Sequence, residues 1–176
     1  MAVLRSSFIA ALSLLASGCL LAEPPKRNPR QTAPILNLAL AAPPVTQLLV
    51  LSGATTLPFS IPVRSEDVAE DVWFALHRNY ALGTAESSRI FGPEDLAPSH
   101  LNDDSREVSF TAALPAPNPC YQVTLVVCHD SNFETSSGVC DPTMLEDTAL
   151  ATWWVISEDA RDAGLEGCPL PTGGGI

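Results

Sequence analysis

Three histidines, His77, His100 and His129, are the side chains best suited to general acid-base work near neutral pH. They stand apart, His77 inside one apolar run, His100 in a polar stretch and His129 at the end of another run, beside Asp130. None belongs to a GxSxG nucleophile turn, an HExxH zinc helix or a cysteine-histidine pattern. Ser52-Gly53 and Ser137-Gly138 read as turn chemistry, and Gly173, Gly174 and Gly175 have no helix after them to cradle a phosphate. The preferred reading is therefore a chain without catalysis, with a hydrolase assembled across loops as the catalytic alternative. Carboxylates are the other chemistry-bearing group. Asp130-Ser131-Asn132-Phe133-Glu134 alternates oxygen side chains as a calcium loop does, yet it lacks the glycine that turns an EF-hand at its sixth position.

The elements that must position these groups read as strands. Leu57, Phe59, Ile61 and Val63 alternate with Pro58, Ser60, Pro62 and Arg64, and the two prolines point to an edge or a bulge. Val72, Phe74 and Leu76 alternate with Trp73, Ala75 and His77; Val108, Phe110 and Ala112 with Ser109 and Thr111; Tyr121, Val123, Leu125 and Val127 with Gln122, Thr124, Val126 and Cys128. Leu150 to Ile156 is apolar on both faces, and Val45 to Leu51 is a weaker sixth candidate. No amphipathic helix is evident. Gly92-Pro93-Glu94-Asp95 suggests one helical turn over Pro93 to Leu96. Short strands separated by proline and glycine turns predict an all-β, antiparallel sandwich or barrel.

Composition narrows the class further. The 176 residues carry 20 acidic against 9 basic side chains, a formal charge of −11, which excludes a nucleic-acid surface built on clustered Lys and Arg. With 46% apolar residues the chain has the material for a core. Arg5, an uncharged run from Phe8 to Ala16 and the small residues Ala16, Ser17 and Gly18 have the order of a secretory signal. From Phe8 to Ala22 the apolar stretch is 15 residues, below the ~20 that span a bilayer.

Leu14-Leu15-Ala16-Ser17-Gly18-Cys19 resembles the lipobox of bacterial lipoproteins, with Ala16 where leucine is commonest. The resemblance implies removal of residues 1–18 and acylation of Cys19, including an amide-linked chain such as palmitate. Several acyl chains would hold the protein at a membrane, each buried CH₂ contributing ~0.8 kcal/mol. Leu20, rather than an aspartate, follows the cysteine, and in that family this favours the outer membrane of the envelope. Residues 19–44 then read as a lipid-anchored linker, because Pro24, Pro25, Pro29, Pro34, Pro43 and Pro44 interrupt helix and sheet alike, although Ile35 to Ala42 is apolar enough to dock as a strand. Lys26, Arg27 and Arg30 form a basic stem; from Gln31 onward 5 basic and 19 acidic residues leave −14.

With Cys19 acylated, Cys120, Cys128, Cys140 and Cys168 remain, an even number in an exported chain, and read as two disulfides. Three pairings are open. If the strands near 120–130 and 149–157 are antiparallel neighbours, Cys168 comes to lie beside Cys120, and Cys128 opens the loop that holds Cys140. The expected pairs are therefore Cys120 with Cys168 and Cys128 with Cys140. Zinc is disfavoured, since no CxxC or suitably spaced histidine is present.

Trp73 on the third strand and Tyr121 opening a long apolar strand resemble the immunoglobulin-type sandwich, in which a tryptophan packs centrally and a tyrosine marks strand F. The similarity spans about 45–157, within a sandwich domain expected over 45–168 that leaves 169–176 as a flexible tail; the inter-sheet cystine of that family is missing. Such a fold implies that the loops Glu66 to Asp71 and Asp130 to Asp147 emerge at one end, gathering Asp67, Asp71, Asp130 and Asp141 among other acids. Two carboxylates ~6 Å apart repel by roughly 3 kcal/mol at an effective dielectric of about 20, so a calcium-dependent adhesion module is the first alternative, with calcium as its cofactor; the preferred reading has none. Adjacent strand residues Trp153 and Trp154 must face opposite ways, one into the core and the other toward a cover or a partner, so both are partner-binding candidates. Together these readings predict a non-catalytic, lipid-anchored envelope module that meets the membrane through Cys19 and binds an envelope protein or glycan.

Overall fold

The computed structural model describes residues 32–67, 70–80, 88–97, 105–141, 143–163 and 168. The expected signal peptide, Cys19, the basic stem, His100 and residues 169–176 lie outside them. Regular structure in the described residues consists of strands and short 3₁₀ turns. Three strands form one sheet in the order β1 (Ile35–Leu36), β3 (Thr55–Arg64), β6 (Ser105–Leu114). Five form the other: β2 (Leu49–Leu51), β10 (Ala149–Ser157), β7 (Cys120–His129), β4 (Val72–Arg78) and β5 (Ser88–Leu96). A small hairpin of β8 (Phe133–Glu134) and β9 (Val139–Cys140) completes the set. Pairing is antiparallel except between β2 and β10, which run parallel over three residues.

Alternation decides which faces meet. Phe59, Ile61 and Val63 of β3 and Val108, Phe110, Ala112 and Leu114 of β6 turn inward from the smaller sheet. Val72, Phe74 and Leu76 of β4, Val123, Leu125 and Val127 of β7, and Ala151, Trp153 and Val155 of β10 meet them from the larger one. Phe59 packs edge-on against Trp153 at 5.1 Å, and Phe74 meets Phe110 at 5.6 Å, so rings from both sheets interdigitate. The Tyr121 hydroxyl donates to the Pro115 carbonyl at 2.7 Å, the tyrosine corner of the expected immunoglobulin-like sandwich. All-β architecture and both disulfides agree with the sequence reading: Cys120 joins Cys168 and Cys128 joins Cys140.

Three expectations are corrected. Trp73 is not the central tryptophan. Its neighbours Val72 and Phe74 own the inward face, so Trp73 lies on the outer face and stacks on Phe133 at 5.6 Å. Trp153 is the central one, fully buried, with its indole N–H donating to the Pro43 carbonyl at 2.7 Å; it is no partner-binding residue. Pro93 to Leu96 is strand rather than helix, because Gly92 sits at φ +80°, where a Cβ would stand 2.9 Å from the Phe74 carbonyl oxygen, and forms a bulge between registers. The sandwich also reaches back before residue 45: β1 pairs with β3, and Ala42 bridges Ser60.

The prolines of β3 are placed by hydrogen-bond parity. Ser60 exchanges both backbone bonds with Ala42 on the β1 side, at 2.7 and 2.8 Å. Residues of the same parity, Pro58 and Pro62, therefore turn their missing N–H toward short β1 and not toward the full ladder with β6. Replacing Trp153 with alanine should cost about 3–5 kcal/mol, and Tyr121→Phe about 1 kcal/mol. Chemical denaturation of both variants checks the order of the two losses.

Candidate functional site

The ends of β3, β4, β7 and β10 converge. Val72 pairs with His129, and the Asp130 N–H donates to the Asp71 carbonyl at 3.0 Å. The loop after β3 and the loop after β7 thus emerge together, as expected. Between them lies His129, fully buried. Its Nδ1 meets Asp147 Oδ1 in a short hydrogen bond, and its backbone N–H donates to Asp147 Oδ2 at 3.3 Å. On the other side of the ring, Nε2 is 2.7 Å from Ser65 Oγ and 3.7 Å from Asp67 Oδ2. The Asp67 N–H donates to Ser65 Oγ at 3.1 Å. Burial opposes charge on His129, but the Asp147 hydrogen bond and the carboxylates of Asp147, Asp67 and Glu70 outweigh it and hold the ring above its ordinary value of 6.5.

Serine, histidine and aspartate in this order are the connectivity of acyl-transfer triads. Two observations set this constellation apart from a nucleophile. Ser65 is only 2% exposed, whereas a nucleophile must reach a substrate carbon at ~3 Å. The Asp67 carboxylate beside Nε2 also favours the protonated ring, the form with no lone pair to take the serine proton. The group ties two loops together. Sequence reasoning passed over Ser65 and counted Asp147 only among the acids of the loop end, because they stand 64 and 18 positions from His129 and no motif spans such gaps.

The second part of the site is the β8–β9 hairpin, folded onto the outer face of the larger sheet. Cys128–Cys140, Phe133, Val126, Ala75 and Tyr80 form a small apolar cluster there, with Trp73 packed against it. His77 Nε2 is 2.7 Å from the Gly138 carbonyl and donates to it, and Arg89 Nη1 donates to the Ser136 carbonyl at 3.2 Å. Gly138 lies at φ +73°, and a Cβ there would meet Arg89 Cδ at 3.0 Å and Ala75 Cβ at 3.3 Å; glycine is what lets the hairpin lie down. Burial pushes His77 below 6.5, helped by nearby Arg89 and opposed by the Gly138 hydrogen bond. A cleft of about 390 Å³ opens along the hairpin, lined by Asn132, Phe133, Glu134 and Asp141 among others.

The calcium candidates do not share one site. Asp67 faces His129, Asp71 is joined to Asp130 through backbone, and Asp141 accepts from the N–H and hydroxyl of Thr143, which lower its pKa. Among the described residues no group of three or more His, Cys, Asp or Glu is placed to hold a metal ion. Trp154 is half-buried on the outer face of β10, opposite Gln122 in register.

No family model matches the chain, and no curated protein does. Among solved structures it is similar to a chain in the crystal structure of the complex between zinc 2-glycoprotein and prolactin inducible protein from human seminal plasma. The TM-score is 0.39 at 13% identity, covering 76% of this chain and 100% of that one; no residue role is carried over from it.

Two outcomes follow from the hairpin. Opening Cys128–Cys140 by paired Cys→Ala substitution should cost about 3 kcal/mol in the loop-entropy picture, read by denaturant midpoint. His77 works with the opposite sign from His129. Its folded-state value is depressed, so its contribution is full above pH 6.5 and is lost as pH falls through the folded value. Hydrogen exchange of the β8–β9 amides, corrected for intrinsic rate, should quicken on acidification, and His77→Gln should flatten that response.

Proposed function

We propose that this chain is a lipid-anchored, non-catalytic binding module of a bacterial envelope, exported by residues 1–18, held through Cys19 and favouring the outer membrane. The observation that carries the reading is the cysteine pattern: four of the five cysteines are paired within the sandwich, which leaves Cys19, at the lipobox position, as the thiol for an anchor. Disulfides persist in oxidising compartments. The linker after Cys19 would stand the acidic sandwich off the membrane.

The binding surface on this reading is the loop end. Its loops are pinned by His129 and by Cys128–Cys140, so little order remains to be imposed when a partner arrives. The hairpin cleft, lined by Phe133, Glu134 and Asp141 among others, suits a partner that offers hydrogen-bond donors, from an envelope protein or a glycan.

Intact mass of the protein from its native membrane tests the anchor. The expected mass lacks residues 1–18, carries acyl chains, and takes up no alkylating agent without reduction; Met1 retained or free thiols in unreduced material overturns the reading. A photo-crosslinking residue at Glu134 should capture a partner in the intact envelope, and one at Glu158, near the opposite end of β10, should not. Equal capture at both positions, or none at Glu134, overturns the assignment of the surface.

A further inference from the structure

His129 sits where four elements meet, and carboxylates reach it from two of them. Asp147 approaches from the head of β10, and Asp67 and Glu70 from the loop after β3; Asp71, at the head of β4, meets the Asp130 N–H through its backbone carbonyl. Arg106 of β6 braces the same loop, its Nη1 donating to the Leu96 carbonyl at 2.9 Å and its Nη2 to the Glu70 carbonyl at 3.0 Å. Asp67 Oδ2 is buried with no hydrogen-bond partner, 3.7 Å from Nε2. An oxygen so placed is stabilised only when Nε2 carries a proton.

Ser65 completes a relay. Its Oγ is 2.7 Å from Nε2, 3.1 Å from the donating Asp67 N–H, and 3.5 Å from the Asp67 carbonyl oxygen. A hydroxyl has one proton to give. With the ring doubly protonated, Nε2–H donates to Oγ and the hydroxyl proton turns to the Asp67 carbonyl. With the ring neutral and Nδ1–H kept on Asp147, the hydroxyl proton must turn to Nε2, the Asp67 carbonyl loses its donor, and the Asp67 carboxylate faces a lone pair.

We propose that Ser65, Asp67, His129 and Asp147 are a proton-operated latch: the imidazolium clasps the loop after β3 to the loop after β7, and loss of its proton reverses the Ser65 hydrogen bond and releases the first loop. The proton that leaves goes to solvent, and no bond other than N–H is broken. The sign follows from the raised position of the ring. The latch contributes fully below pH 6.5, the value for His129 in the unfolded chain, and is lost as pH rises through the higher folded-state value. The loop end is thereby held closed on the acid side of that folded-state value and loosened on its alkaline side.

Three measurements on the full chain in detergent micelles test this. The first follows the His129 ring carbons by NMR during a pH titration; the expected ring stays doubly protonated above pH 6.5 and changes in step with the Asp67 amide. A ring that titrates at or below 6.5, or independently of that amide, overturns the latch. The second compares melting temperatures of the native chain and Asp67→Asn, chosen because Asp67 lies at the margin and the variant keeps the core. The variant should melt roughly 2–4 °C lower at pH 6, with the gap closing as pH rises. A gap constant with pH overturns the proposal and reduces Asp67 to packing. A fluorophosphonate probe should leave Ser65 unlabelled at neutral pH; labelling there would show a nucleophile and overturn it as well.

Discussion

Strand β7 has two apolar faces, and a sandwich offers one interior. Val123, Leu125 and Val127 take the inward face while Val126 and Cys128, on the outward face, are also fully buried. Left bare, the second face would expose a hydrophobic patch in the middle of the larger sheet, the kind of surface that drives association. The rest of the loop architecture answers to that constraint. The chain past His129 doubles back as β8 and β9 and lies over the outer face, and Cys128–Cys140 ties the cover to the strand it covers.

Covering a face also traps polar groups, and the two histidines record how that was handled. His77 is on the outer face beneath the hairpin, where it has a single carbonyl partner and an unpartnered Nδ1. Burial and nearby Arg89 both disfavour a charge there and shift the ring toward its neutral form. His129 lies at the end of β7 among carboxylates, which shift its ring toward the charged form. At equal depth the two rings shift in opposite directions, since desolvation penalises the charged form of both and only the carboxylates around His129 outweigh it. His77 consequently fastens the hairpin through the Gly138 carbonyl, while His129 joins Ser65 and Asp67 to Asp147.

The strands were legible because their alternation is nearly unbroken, and the disulfides followed from strand order alone: once β7 and β10 are antiparallel neighbours, only one nested pairing brings sulfurs together. Parity also placed Trp153 and Trp154 on opposite faces, but could not say which was inside; that choice belongs to Phe59 and the Pro43 carbonyl, residues far off in sequence. The same limit misled the reading of Trp73, where the resemblance to immunoglobulin sandwiches was allowed to outweigh Val72 and Phe74 on either side. Strand β5 was missed for a different reason. Gly92-Pro93 is punctuation for a helix start and for a bulge alike, and the deciding fact, the nearness of the Phe74 carbonyl, is tertiary.

The His129 centre is the least legible feature and the most instructive. Its members were visible as residues, but nothing in their order announces that they touch. Their connectivity, once seen, invites a catalytic interpretation that the electrostatics oppose. In an acyl-transfer triad one carboxylate orients a neutral ring whose free nitrogen faces a serine open to substrate. Here a second carboxylate, Asp67, sits beside that nitrogen, and Ser65 is closed in by its own loop. A second anion favours the cation over the base, and a cation beside an enclosed serine suits a fastening better than a nucleophile. The same three side chains thus serve chemistry or architecture according to one neighbouring charge and a few square ångströms of access.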